Sequence, residues 1–349
     1  MKRFGSWGVS ALAAVLLGAC GGGGPEYSAL VSFGDSLSDV GTYRVSTIAA
    51  VGGGKYNVNG AGGINWTERL AVTLGVAAPC AAQTGLNSII PGIPAEAVQN
   101  HAGCTNYAQG GARITHPIGP QNLATYPAAA DGALGQLTDP IANQITRHLA
   151  AAGGRFSGRE LVTVFGGGND VFMNLGAVGA GAATPAEAVT AMGTAGGELA
   201  GYIRNLILAN GATHVVVLNL PDVVQTPFGA TLDAPTQALV NQMVTAYNTQ
   251  LAAGLAGAGG VLLVDAHAQG QLQAANPAQY GISNATTPAC DLTLLAATVF
   301  ASSLVCTEST LIAGDVSRYQ FSDTVHPTPY GYRLIADHVV TRLSASGWL

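Results

Sequence analysis

Four stretches of the chain carry residue types that could together attack a carbonyl carbon. The first runs Val31-Ser32-Phe33-Gly34-Asp35-Ser36-Leu37-Ser38-Asp39. A serine hydroxyl is a weak nucleophile at neutral pH, so a reactive one needs a fixed, exposed turn and a base beside it; Gly34 permits the turn. By itself this Gly-Asp-Ser reads equally well as a helix N-cap. The second, Ser322-Asp323-Thr324-Val325-His326-Pro327-Thr328, sets a carboxylate and an imidazole on one loop. Histidine titrates near neutrality and can take the serine proton, while a carboxylate fixes its tautomer and stabilises the imidazolium. Pro327 and Pro329 stiffen that loop, although an isolated Asp-x-x-His is equally a surface pair. The third requirement is a set of donors for the oxyanion that attack creates. Asn169, after Gly166-Gly167-Gly168, offers a side-chain N–H. Gly110 or Gly111, within Asn106-Tyr107-Ala108-Gln109-Gly110-Gly111-Ala112, offers a backbone N–H with no Cβ in the way, and the Ser36 N–H is the third donor.

Competing readings of the same residues are weaker. A glycine-rich turn after a strand also suits phosphate, but neither G-x-x-x-x-G-K-[ST] nor G-x-G-x-x-G followed by a helix occurs, so no nucleotide is expected. Asp265-Ala266-His267 at a strand end is the best rival acid–histidine pair, because residues two apart in a strand share a face. His101, His116, His148, His214 and His338 stand in no comparable setting.

These residues must be held at the ends of regular elements. Apolar runs at 29–33, 161–165, 213–220 and 261–264 each end in a Gly or Asp turn and lack polar alternation, which predicts strands of a parallel sheet covered on both faces. Between them, Thr184-Pro185-Ala186-Glu187 is a capping box opening a helical segment that stops near Gly211. At 238–255, Leu239, Met243, Tyr247 and Leu251 form an amphipathic stripe of core residues. Alternation of strand and helix predicts a three-layer α/β domain, with ligands beyond the carboxyl ends of the strands. Two stretches, about 52–126 and 273–321, are rich in loop residues and are expected to be excursions around the rim of the site. No linker or internal repeat divides residues 29–349 into separate folding units.

Composition narrows the setting. Of 349 residues only 9% are charged, against roughly 25% in an average domain. With 13 Lys and Arg and a net charge of −6 there is no basic face to neutralise phosphates, which excludes nucleic acid as a partner. Residues 1–19 read as a signal peptide: Lys2 and Arg3, an apolar stretch over residues 9–17, then small residues before Cys20. Leu17-Gly18-Ala19-Cys20 resembles the lipobox of bacterial lipoproteins, which implies lipidation of Cys20, a Cys/Gly-rich tether over 20–28 and attachment to a membrane. By the same resemblance, Gly21 after the cysteine points to the outer membrane, the alternative being a periplasmic or secreted protein. Cys80, Cys104, Cys290 and Cys306 form an even set suited to two disulfides in an oxidising compartment. Sequence proximity favours Cys80 with Cys104 and Cys290 with Cys306 among three connectivities. No C-x-x-C or paired-histidine spacing supports a metal site.

In this order, the four segments resemble the blocks of the SGNH (GDSL) hydrolase family: Phe33 to Asp39 by residue the first, Asn106 through Ala112 the second, Gly167-Gly168-Asn169-Asp170 the third, Asp323 through Thr328 the last. The resemblance spans about 31–340. It implies a flavodoxin-like α/β/α sandwich with about five parallel strands, no cofactor or metal, and ester hydrolysis through an acyl-enzyme. It carries over Ser36 as nucleophile and oxyanion donor, Gly111 and Asn169 as the other donors, and Asp323 and His326 as the remaining triad members. The expectation is a serine esterase or lipase acting on a small-molecule or lipid ester. A carbohydrate O-deacetylase of the same fold and a non-catalytic envelope lipoprotein are the alternatives.

Overall fold

The computed structural model describes Met1 and residues 24–125, 134–298 and 300–349. The expected signal peptide, Cys20 and the start of the tether lie outside the described residues. The end of the expected tether is already part of the folded body: the Tyr27 hydroxyl donates to Trp348 O (3.0 Å) and Ser28 N–H to Arg159 O (2.8 Å).

Six strands occur among the described residues: β1 Ala29–Gly34, β2 Gln83–Leu86, β3 Glu96–Asn100, β4 Glu160–Phe165, β5 His214–Leu218 and β6 Val261–Val264. Four of them form one parallel sheet in the order β1-β4-β5-β6, while β2 and β3 pair antiparallel as a separate hairpin. The sheet thus has four assigned strands where about five were expected. The fifth position is nevertheless filled. On the free edge of β1, Ser32 N–H donates to Thr105 O (3.0 Å), Tyr107 N–H to Ser32 O (2.8 Å) and Gln109 N–H to Gly34 O (3.1 Å). Cys80, disulfide-bonded to Cys104, and the turn at Gly110 and Gly111 bracket this segment, which leaves it room for a short ladder only. With it included, the strands taken in chain order lie 2-1-3-4-5, the flavodoxin-like order, whose switch point falls between β1 and β4.

Ten α-helices accompany the strands among the described residues: α1 Ser46–Ala50, α2 Trp66–Leu74, α3 Ile141–Ala151, α4 Gly168–Gly179, α5 Pro185–Tyr202, α6 Pro227–Ala230, α7 Ala234–Leu255, α8 Ala266–Ala275, α9 Leu292–Thr298 and α10 Pro329–Ala345. Each strand alternates between two apolar layers. Val31, Phe33, Val162, Val164, Val215 and Val217 face α3, α5 and α7, where Met243, Tyr247 and Leu251 of the predicted stripe are buried. Leu30, Leu161, Phe165, Val216 and Leu218 face α2 and α10 through Trp66, Leu70, Tyr332 and Leu343. The capping box at Thr184 is present, and α5 passes through a π turn and a 3₁₀ turn before Gly211 ends it in the left-handed region.

The two stretches expected as excursions are more ordered than loop. The first holds α2, which belongs to the helical layer beside α10 and is opened by a capping box between Asn65 and Glu68. It also holds the β2–β3 hairpin. Elsewhere the two stretches, joined by Tyr43, Val45, Ile48 and Leu134 from outside them, pack in a third core that includes Tyr56, Leu86, Leu304 and the Cys290–Cys306 disulfide (Cα–Cα 6.0 Å). Cys80 and Cys104 form the other disulfide (Cα–Cα 5.0 Å).

Candidate active site

Ser36 follows the carboxyl end of β1, where Gly34 passes so close to β4 that a Cβ there would lie 2.3 Å from Phe165 O. Its Oγ is 2.9 Å from His326 Nε2, across 290 residues of sequence. His326 Nδ1 lies 2.8 Å from Asp323 Oδ2 and 3.0 Å from Oδ1. With Nδ1–H donating to the carboxylate, Nε2 is left to accept from the serine hydroxyl. The loop that presents the pair is a tight hairpin: Ser322 N–H donates to His326 O (2.7 Å), Ser322 Oγ to Pro327 O (2.9 Å), and Thr328 then caps α10. Asp323 Oδ1 accepts Val325 N–H (2.9 Å) and His326 N–H (2.8 Å), and Oδ2 accepts Ser303 N–H (3.0 Å). Burial pushes the Asp323 pKa up. The charge of His326 and the hydrogen bonds from His326, Ser303 and Val325 outweigh it and hold the carboxyl well below the ordinary range. Alcohol, imidazole and ionised carboxylate in hydrogen-bonded series can pass a proton from oxygen to nitrogen.

Sequence left the donor at Gly110 or Gly111 open, and the hydrogen bonds separate the two. Gly110 N–H is committed to Asp39 Oδ2 (3.0 Å), and Gly110 O accepts from the Tyr43 hydroxyl (2.7 Å). Gly111 lines the cavity in front of Ser36, and its N–H has no partner among the described residues. It sits at φ +79°, where a Cβ would meet Thr138 Cγ2 at 2.6 Å and Pro120 O at 2.7 Å, so only glycine fits the turn. Asn169, in the first turn of α4, gives one amide hydrogen to Ala112 O (2.8 Å) and has the second free to face the cavity. The Ser36 N–H is likewise without a partner among the described residues. Three uncommitted N–H groups therefore border the same space.

That space is a cavity of about 630 Å³ with largely apolar walls, among them Leu134, Phe172, Leu220, Val223, Leu292 and Phe300. Several contributors carry no motif. Tyr56 lies against the imidazole of His326, ring centroids 4.7 Å apart, and Gln136 Nε2 donates to its hydroxyl (2.5 Å). Residues of the segment closed by Cys290 and Cys306 form one wall and supply the Ser303 N–H to Asp323. The rival pair at α8 does not reach the cavity. Asp265 caps that helix by accepting Ala268 N–H (3.0 Å), and His267 N–H is held by Asn219. His148 is packed among Phe33, Tyr107 and Phe156 in the core. Among the described residues no group of three or more His, Cys, Asp and Glu is arranged to hold a metal ion.

The sequence profile of the GDSL-like Lipase/Acylhydrolase family matches residues 30–339. The chain belongs to that family. Esterase EstA of Pseudomonas aeruginosa is 29% identical over 332 residues, 91% of this chain and 47% of the relative, and Esterase EstA of Pseudomonas putida matches equally. This GDSL-family chain thus spans about half the length of the curated relatives it matches. Among solved structures, phospholipase A1 from Streptomyces albidoflavus NA297 is 14% identical, covering 90% of this chain and 99% of that one at a TM-score of 0.41. An acetyl xylan esterase from Geobacillus stearothermophilus is also 14% identical, with 92% and 96% covered at a TM-score of 0.37. Overlays this loose carry no weight for substrate.

The GDSL motif also brings a second buried carboxyl to the site. Asp35 Oδ1 accepts Leu37 N–H (3.0 Å). Burial raises its pKa to about 7; the Leu37 N–H and the charge of His326 oppose the rise, and Asp170 adds to it. An acid whose folded pKa is raised contributes stability below its unfolded value, near 3.9, and loses it as pH rises toward the folded value. Asp35→Asn keeps an oxygen for the Leu37 N–H and removes the titration. Urea midpoints measured from pH 4 to pH 7 should therefore fall less in Asp35→Asn than in the wild type; parallel curves would show that Asp35 ionises as freely folded as unfolded.

Proposed function

We propose that the chain is a serine carboxylic ester hydrolase that works through an acyl-enzyme on Ser36. His326 takes the Ser36 proton as Oγ attacks the ester carbonyl, and Asp323 orients the imidazole and stabilises its charge. The oxyanion is held by the N–H groups of Ser36 and Gly111 and the Asn169 amide. His326 then returns the proton to the departing alcohol, and a water activated by the same imidazole releases the acid. The observation that carries this reading is the unbroken Ser36–His326–Asp323 hydrogen-bond series opening onto three uncommitted N–H donors. A non-catalytic lipoprotein would have no use for donors left unpaired at a buried serine.

The cavity favours an acyl ester with an extended apolar chain over an acetylated glycan, because apolar side chains such as Leu134, Phe172, Leu220 and Phe300 outweigh polar ones such as Gln121, Gln136 and Thr226 in its walls. Each methylene buried there contributes up to about 0.8 kcal/mol, about fourfold in kcat/KM. Two disulfides mark an exported chain. No helix among the described residues is long and apolar enough to cross a membrane. We further propose that lipid on Cys20 tethers the chain at the cell envelope, supported by the sequence Leu17-Gly18-Ala19-Cys20.

Two experiments test these readings. With p-nitrophenyl esters of increasing chain length, kcat/KM should climb from acetate to medium-chain acids, and Ser36→Ala should lose on the order of 10⁴-fold or more in turnover. A Ser36→Ala variant as active as wild type ends the hydrolase reading, whereas a preference for acetylated xylan over every acyl ester ends the apolar-chain reading. Cys20→Ser should move the protein from membranes to the soluble fraction, and an unchanged distribution contradicts the tether.

A further inference from the structure

Next to the three donors stands a charged pair that the reaction scheme does not use. Arg113 Nε lies 2.8 Å from Asp170 Oδ1, with the Arg113 side chain 16% exposed and that of Asp170 4%. Asp170 Oδ2 accepts Ile114 N–H (3.0 Å). Asn169, the preceding residue, donates to Ala112 O. Three successive residues after Gly111 are therefore bonded to two successive residues in the first turn of α4, and each partner in the series is buried or largely so. Gly111 itself has no hydrogen bond to fix its N–H. Bonds at Gly110 and from Ala112 N–H to Gln109 O (3.0 Å) hold the turn itself, and the contacts that follow Gly111 are what join it to the first turn of α4 beside the Asn169 amide.

Stability alone gives little reason for an ion pair here. Removing two charges from water offsets most of their attraction, so a well-packed apolar pair would hold the fold about as well. An apolar pair could not fix orientation, since packing is less directional than an arginine Nε–H on one carboxylate oxygen with a backbone N–H on the other. Orientation matters at this point of the molecule: donors must lie 2.7–3.1 Å from where the oxyanion forms, and a displacement of about 1 Å can cost on the order of 10²-fold.

We propose that Arg113 and Asp170 are positioning residues that lock the Gly111 turn onto the first turn of α4, so that the Gly111 N–H and the Asn169 amide act as one preorganised anion site. This rests on reading Gly111 and Asn169 as oxyanion donors. Neither charged side chain touches substrate; both act through the groups beside them.

A double-mutant cycle tests it, with kcat/KM and the rate of Ser36 labelling by a fluorophosphonate, whose phosphoryl oxygen occupies the same anion site. Arg113→Met should lower both about tenfold or more in protein whose urea midpoint shows it folded. Asn169→Ala alone should cost on the order of 10²-fold. In the Asn169→Ala background Arg113→Met should cost no more than about threefold, because residues acting through one another are not additive. Arg113→Lys, which keeps the charge and lacks the Nε–H, should show the same coupling with a smaller loss and serves if Arg113→Met does not fold. Equal losses in both backgrounds, or no loss in wild type, overturn the positioning role and leave the oxyanion reading intact. Wild-type rates in Asn169→Ala remove the oxyanion reading and the positioning role together.

Discussion

A hydrogen bond of 2.9 Å between Ser36 and His326 joins two turns 290 residues apart, and much of the molecule serves to hold its two ends. Ser36 is fixed by the sheet: β1 and β4 are parallel neighbours at the switch point, so the turn after one and the glycine turn after the other open on the same side. Tyr247, from the buried stripe of α7, donates to Gly166 O (2.8 Å) and ties that glycine turn to the helical layer. His326 is fixed by a hairpin closed on itself and capped into α10. The third core, built largely from the two long excursions, adds Tyr56 against the imidazole and Ser303 N–H on Asp323.

Two carboxyls within this small volume meet opposite fates. Asp323 is buried yet held ionised, because the charge and hydrogen bond of the His326 imidazole and the backbone N–H groups of Ser303, Val325 and His326 converge on it. Asp35 is as deeply buried with fewer donors, and burial prevails. What distinguishes Asp323 is its hydrogen bond to the imidazole: Asp39, also buried, accepts the N–H groups of Gly41, Thr42 and Gly110, and burial still raises its pKa. Close by, the Gly111 and Ser36 N–H groups have no partner among the described residues and face the cavity.

The parts legible in the sequence were those with local signatures. Ser36 and Asn169 follow apolar runs, Asp323 and His326 share one short loop ahead of a proline, and the four strands are rich in Val and Leu because both faces are covered. The edge segment at 105–109 was not legible as a strand. Its residues are Thr, Asn, Tyr, Ala and Gln, since an edge needs no continuous apolar run. Helix α2 carried a signal, Asn65 followed by Glu68, that was submerged in glycine-rich surroundings. Tyr56, Ser303 and Arg113 reach the site through tertiary contacts of the excursions, and no periodicity encodes the path of such segments.

The central claim is that the Ser36 oxygen becomes acylated during turnover. Acid quenching within the first turnovers on an activated ester, followed by intact mass and peptide mapping, reads this directly. One acyl group per chain on the peptide containing Ser36, absent after Ser36→Ala, is the predicted result. Turnover with no acyl adduct on that peptide, or an adduct on another residue, contradicts it.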